Sequence, residues 1–163
     1  MQGQKKVFTP GAIHDVVIRP LRKHLDERGW LCELYRQDEL GNIPAPVMAY
    51  FSLTKPGITR GPHEHREQTD CFCFIGPANF KIRLWDARPD SPSYGIMQTF
   101  FADVDAPLLV VVPPGIVHAY QNISVESGLV FNAPDHLYAG EGKQFPVDEI
   151  RHEDQAGSLY GMD

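Results

Sequence analysis

Cationic side chains are in the minority: fifteen lysines and arginines stand against twenty-one aspartates and glutamates, a formal net charge of −6. No global basic field is present to hold a polyanion, so electrostatics argues against nucleic acid as a partner, although single basic residues can still grip a small anion. Long hydrophobic runs are missing too. No stretch approaches the ~18 apolar residues of a membrane-crossing helix. The opening MQGQKKVFTPGAIHDV has two lysines but lacks the ~7–15-residue apolar core of a signal peptide. A soluble, cytoplasmic chain with no membrane partner is expected. Cysteine is scarce and odd in number, with Cys32, Cys71 and Cys73 alone. Cys71 and Cys73 would share one face of a strand. Without a second metal-type pair they predict buried, reduced thiols, as a reducing cytoplasm maintains. Neither an internal repeat nor a low-complexity tract is found.

What is present suffices for one core. Hydrophobic residues make up 42% of the 163 positions, which supports a single domain over 1–163. Fourteen glycines and fourteen prolines are spread along the chain, a pattern of short strands and tight turns rather than of a helix bundle. Apolar and aromatic runs predict strands at Trp30 to Tyr35, Val47 to Thr54, Cys71 to Ile75 and Asn79 to Trp85. The series continues at Ile96 to Phe101, Leu108 to Val112, Ala119 to Ile123 and Gly128 to Phe131. Phe80, Ile82 and Leu84 alternate with Lys81, Arg83 and Trp85, the period of two of a half-buried strand. Helix is suggested only at Arg19 to Leu25, behind Pro20, and as a turn around Asp148 to Ile150. The class is all-β with short flanking helices.

Two segments carry chemistry. One contains Gly57, His63-Glu64-His65, Asp70 and Gly76; the other is Pro113-Pro114-Gly115-Ile116-Val117-His118 with Asn122 following. Residues two apart on a strand share a face, so His63 and His65 can enter one cavity, and His118 can join them from a neighbouring strand. Three imidazoles with Asp70 would suit a divalent transition metal with positions left open for water or substrate. The same groups could do acid–base work without metal, since an imidazole titrates near neutrality and a carboxylate can orient it. Spacing alone does not choose between them. The two segments resemble the paired motifs of the cupins, with Asp70 where a Glu is usual. That resemblance implies a jelly-roll β-barrel, in agreement with the strand series.

A narrower resemblance covers more of the chain. Asp26-Glu27-Arg28-Gly29-Trp30-Leu31-Cys32-Glu33, Gly57-Ile58-Thr59-Arg60-Gly61-Pro62-His63, Asp86-Ala87-Arg88 with Ser91-Pro92-Ser93-Tyr94-Gly95, and Pro113 to His118 are similar, in order, to segments of the dTDP-4-dehydrorhamnose 3,5-epimerase family. The resemblance implies an N-terminal arm over 1–25, a barrel over 26–138 and a closing segment over 139–163. It also implies a homodimer formed through exchanged N-terminal strands. The implied reaction is epimerisation of a nucleotide-linked 4-keto-6-deoxyhexose by proton removal next to the ketone, which requires a base, a proton donor and enolate stabilisation but no cofactor. His63 would be the base and Asp154 the carboxylate that orients it. Arg28, Glu33 and Arg60 would contact the nucleotide diphosphate, with His118 and Asn132 as further substrate-contacting pocket groups.

The sequence departs from that family at the acid. The position of its general-acid Tyr falls on Asn132, so another donor is needed: Tyr138, Tyr120 or a water. Gln68-Thr69-Asp70 replaces a segment with a pocket Lys, and His65 replaces a Gln. Three readings follow: an epimerase or isomerase, a metal cupin isomerase or oxygenase using His63, His65, Asp70 and His118, and a sugar-nucleotide binding module without catalysis.

Overall fold

The computed structural model describes residues 8–163, so residues 1–7 of the expected arm lie outside the described residues. Thirteen strands are formed among them: β1 (Thr9–Pro10), β2 (Val17–Pro20), β3 (Lys23–Asp26), β4 (Gly29–Cys32), β5 (Tyr50–Thr54), β6 (Thr59–Glu64), β7 (Asp70–Phe74), β8 (Phe80–Asp86), β9 (Ile96–Ala102), β10 (Leu108–Val112), β11 (Ile116–Asn122), β12 (Gly128–Asn132) and β13 (Ile150–Arg151). One sheet has the order β1-β9-β8-β11-β6-β13, a second β2-β10-β7-β12-β5, and β3 with β4 makes a separate hairpin. The jelly-roll expectation holds. The helix expected over Arg19 to Leu25 does not form. Val17 and Ile18 extend into β2, which pairs with β10, and Lys23 to Asp26 pair back on β4. β-branched residues with an open partner strand outweigh the weak helical cue of a proline. Helical structure among the described residues is limited to two 3₁₀ turns, Gln37–Glu39 and Glu141–Lys143.

The core lies between the two large sheets. Phe72 and Phe74 of β7, Phe80, Ile82 and Leu84 of β8, Ile116 and Tyr120 of β11, and Val130 of β12 pack into it. The intervening residues turn outward: Trp85, Val117 and Ala119 are covered by Tyr160 and Met162 near the C-terminus, and Cys71 and Cys73 by Leu21, Leu34 and Leu40. All three cysteines are free thiols. Phe101 is exposed because it lies on the outer face of β9. Each fully buried large side chain contributes about 1.5–3 kcal/mol, so this two-sided packing fixes strand register firmly.

One irregularity places the site. His118 pairs with His63 and Tyr120 with Arg60, so two residues of β6, Gly61 and Pro62, oppose the single Ala119. This bulge reverses the alternation and turns His63 onto the inward face occupied by His118 and Tyr120. Gly61 is required there. Its φ is 82°, and a Cβ would stand 2.5 Å from the His118 carbonyl oxygen and 3.1 Å from His63 Nδ1.

Candidate active site

Three imidazoles converge at one end of the barrel. The ring centroids of His63 and His118 are 4.4 Å apart, those of His63 and His65 5.7 Å, and those of His65 and His118 5.8 Å. Asp70, at the head of β7 and 1% exposed, lies behind them. Its Oδ2 is 3.2 Å from His65 Nε2 and 3.3 Å from His118 Nε2. Its Oδ1 accepts hydrogen bonds of 2.8 Å from Gln68 Nε2 and from Asn132 Nδ2. His65 Nδ1 donates to the Asp148 carbonyl, and His118 Nδ1 donates to the Ile116 carbonyl at 3.0 Å. His118 Nε2 is buried and too poorly aligned with Asp70 to form a hydrogen bond. One nitrogen from each of His63, His65 and His118 lies within 4.8 Å of the others, so these three could hold a metal, with Asp70 beside them.

Charge is distributed unevenly across the cluster. Burial pulls the His65 imidazole down, but the bond to Asp70 and its negative charge dominate and push it up to about 9. Burial would raise Asp70, yet its contacts with His118 and His65 hold it well below the usual carboxylate range. His63 is kept far below neutrality by burial first and by His118 and His65 second. The site therefore pairs one buried carboxylate with one protonated imidazole and leaves His63 neutral.

A cleft of about 580 Å³ opens over His63 and His65, within the size range of small-molecule pockets. Tyr50 of β5 lines it from the opposite sheet, and residues between 134 and 151 close it, among them Tyr138, Phe145, Glu149 and Arg151. That segment is fastened by Asp148, whose carboxylate accepts the backbone N–H groups of Arg66, Glu67 and Gln68, each at 2.9 Å. Two carboxylates face the buried Nδ1 of His63, Glu149 Oε1 at 3.8 Å and Glu153 Oε1 at 4.0 Å. The Tyr50 phenol oxygen accepts a 2.9 Å bond from Asn132 Nδ2, and burial pushes this phenol up to about 12.

The sequence-derived residues divide between cleft, interior and surface. His63, His65 and Tyr138 line the cleft. His118, Asp70 and Asn132 are buried behind it. Tyr120 is deeper still, its hydroxyl 2.8 Å from Ser52 Oγ. Asp154 is exposed; the carboxylates within 4.0 Å of His63 Nδ1 are those of Glu149 and Glu153. Arg28 is 85% exposed at the β3–β4 turn, tied to Asp26, and Glu33 pairs with Arg36 at 3.4 Å. Arg60 reaches Thr54 Oγ1 at 3.0 Å and the Leu53 carbonyl at 2.7 Å. None of these three lines the cleft, whose lysine and arginine side chains are Lys143 and Arg151. Sequence reading missed Tyr50, Asp148 and Glu149. Acidic neighbours at 148 and 149 were a weak signal, whereas Tyr50 could be found only from the pairing of β5 with β12.

Comparison with known proteins gives a consistent picture. The family model described as dTDP-4-dehydrorhamnose 3,5-epimerase matches residues 10–156. A protein of Haloferax volcanii described as a probable low-salt glycan biosynthesis epimerase is 36% identical over 128 residues, 77% of this chain and 81% of its own. A dTDP sugar isomerase of Desulfovibrio desulfuricans superposes with a TM-score of 0.73 at 21% identity, over 85% of this chain and 84% of that one. A 3′-monoepimerase of Streptomyces bikiniensis, solved with dTDP-quinovose, superposes with a TM-score of 0.72 at 20% identity, over 88% of this chain and 72% of that one.

Proposed function

Since this chain belongs to the dTDP-4-dehydrorhamnose 3,5-epimerase family, and is thereby a sugar-nucleotide epimerase, we propose that His63 removes a proton next to the ketone of a nucleotide-linked 4-keto-6-deoxyhexose bound in the cleft. The observation that carries this reading is the His63 imidazole at the cleft, with the Glu149 and Glu153 carboxylates 3.8 and 4.0 Å from its Nδ1. Nδ1 is buried without a hydrogen-bond partner, so Nε2 is the nitrogen that meets substrate. When Nε2 takes the proton, Glu149 and Glu153 stabilise the imidazolium, and the electron pair passes into the carbonyl as an enolate. They take the orienting role that the sequence resemblance assigns to Asp154. The diphosphate is proposed to meet Arg151 and Lys143, the arginine and lysine of the cleft.

The reaction is proposed to need no metal. Both nitrogens of His65 are engaged, one by the Asp148 carbonyl and one toward Asp70, so a metal on this ring would have to displace one of these contacts. Overnight chelation should leave the rate unchanged; one tightly held transition metal per chain, with activity lost on stripping, would favour a metal site on His63, His65 and His118.

A second copy of the chain is proposed as the partner. The outer face of β5, the edge of its sheet, presents Phe51 and Leu53 at 58% and 54% exposure, with Leu129 of β12 beside them, an apolar edge that a homodimer would cover. The cytoplasm is proposed as the compartment, because Cys71 and Cys73 are neighbouring free thiols of the kind that a reducing compartment preserves.

The decisive experiment is solvent exchange. A dTDP-linked 4-keto-6-deoxyglucose incubated with the protein in deuterated water should gain deuterium at C3, C5 or both, and His63→Asn should abolish the gain. Binding of the sugar nucleotide with no exchange would refute the epimerase reading in favour of a binding module.

A further inference from the structure

Inversion at carbon needs a second group. A proton taken from one face must be replaced from the other, so a base on one wall of the cleft requires an acid on the opposite wall. His63 belongs to the β6 sheet. The cleft-lining phenols are Tyr138, on the closing segment, and Tyr50, on β5 of the facing sheet. Tyr138 is more than half exposed, and its backbone N–H donates to Met48 Sδ.

Tyr50 is held by an amide whose orientation is fixed. Asn132 Oδ1 accepts the Cys71 N–H at 3.0 Å, and one proton of Nδ2 goes to the Asp70 carboxylate at 2.8 Å. The remaining Nδ2 proton is directed at the Tyr50 oxygen, 2.9 Å away. The phenol oxygen is therefore an acceptor in this bond, and its own proton is free to be donated elsewhere. No acceptor for that proton is within hydrogen-bond distance among the described residues, and the ring borders the cleft. Asn132 and Tyr50 are register partners on β12 and β5, so the amide and the phenol stand side by side across one strand pairing.

We propose that Tyr50 is the general acid of this enzyme, giving its phenolic proton to the enolate on the face opposite His63, and that Asn132 is its positioning residue. This rests on the epimerase reading above. In the step, His63 Nε2 takes the proton as the C–H bond breaks and its electron pair forms the enolate. The enolate then takes the Tyr50 proton, a new C–H bond forms on the other face, and the carbonyl returns. The phenolate, stabilised by the Asn132 N–H, recovers a proton from solvent while His63 releases its own. Atoms and charge balance without a co-reactant.

The test separates exchange from inversion. Wild type, Tyr50→Phe and Tyr138→Phe are each incubated with dTDP-4-keto-6-deoxyglucose in deuterated water, with deuterium content and epimer formation followed separately. Tyr50→Phe should keep deuterium uptake within a few-fold of wild type, since His63 can return a deuteron to the face it came from, while epimer formation falls by about 10²-fold or more. A selective loss of inversion in Tyr138→Phe, with Tyr50→Phe still inverting, overturns the assignment in favour of the other cleft phenol. An unchanged dTDP dissociation constant and melting temperature show that the Phe variant is intact. Inversion by Tyr50→Phe within a few-fold of wild type overturns the assignment, as does an equal loss of exchange and inversion. A wild type that shows neither overturns the epimerase reading itself, and this proposal with it.

Discussion

Replacing Asp70 by Asn changes one atom and should change how stability depends on pH. In the native protein Asp70 Oδ2 sits between two imidazoles, and His65 is pushed up to about 9 from an ordinary value of 6.5. A raised imidazole stabilises the fold fully below its unfolded value and ceases to do so as pH climbs through its folded one. The window is therefore 6.5 to about 9. Linkage makes the difference worth roughly 3 kcal/mol, or ~6–12 °C in melting temperature for a chain of this size. In Asp70→Asn, Oδ1 can still accept from Gln68 and Asn132, and the new NH₂ can donate to a neutral His65. The ion pair is gone but no group is stranded. Melting followed by circular dichroism at pH 6, 8 and 10 should show the native protein losing stability across the window and the Asn variant staying nearly level by comparison. Parallel pH curves for the two proteins would refute the ion pair. Asp70→Ala is a harsher change that strands both imidazoles and two amides, and should cost about 3–5 kcal/mol at any pH.

Asp148→Ala should release the segment that closes the cleft, because three backbone N–H groups lose their acceptor. The carboxylate is partly solvated, so the stability loss is about 1 kcal/mol, read by urea denaturation, while proteolytic nicking between 139 and 147 should rise clearly. Although burial opposes it, the N–H groups of Glu67, Arg66 and Gln68 hold Asp148 below its ordinary value; its contribution is present above that value and fades as pH falls through the lowered one, so the nicking of the native protein should increase on the acid side. Asp86→Ala should destabilise far more, by about 3–5 kcal/mol, since Asp86 is fully buried and gathers Arg88, Ser91 and Ser93, with the Ser93 hydroxyl at 2.6 Å; activity per folded molecule should be unchanged. Leu53→Lys should shift the molar mass in light scattering from two chains to one, and a mass of one chain already in wild type would remove the dimer.

The strands with clear alternation were legible in sequence: β8, with Phe80, Ile82 and Leu84 inward, needs nothing beyond its own periodicity. The pairing of His63 with His65 was legible too, since it is local. Their meeting with His118 depends on the bulge at Gly61 and Pro62, which appears only when β6 is laid against β11. The short edge strands β1, β2 and β13 carry too few residues to show a period, and their pairing partners lie far away in sequence. Arg28 and Arg60 were assigned to the cleft by likeness of motif, yet each is tied to neighbours outside it. Tyr50 went unread because its role depends on an amide eighty-two positions away. Motifs report chemistry fixed within one stretch of chain; a proton relay across two strands leaves no motif.

The crowding at Gly61 also bears on how such an enzyme can diverge. A side chain of any kind at that position would collide with the His118 carbonyl and press on His63, so mutation there is closed to nineteen of the twenty amino acids. The strand that carries the base is, in effect, frozen. The segment from 134 to 149 crosses the same cleft as loops and turns, which tolerate substitution and changes of length. New sugar preferences in descendants of this protein, or in a directed library, should therefore accumulate in that segment while the histidine strand stays constant.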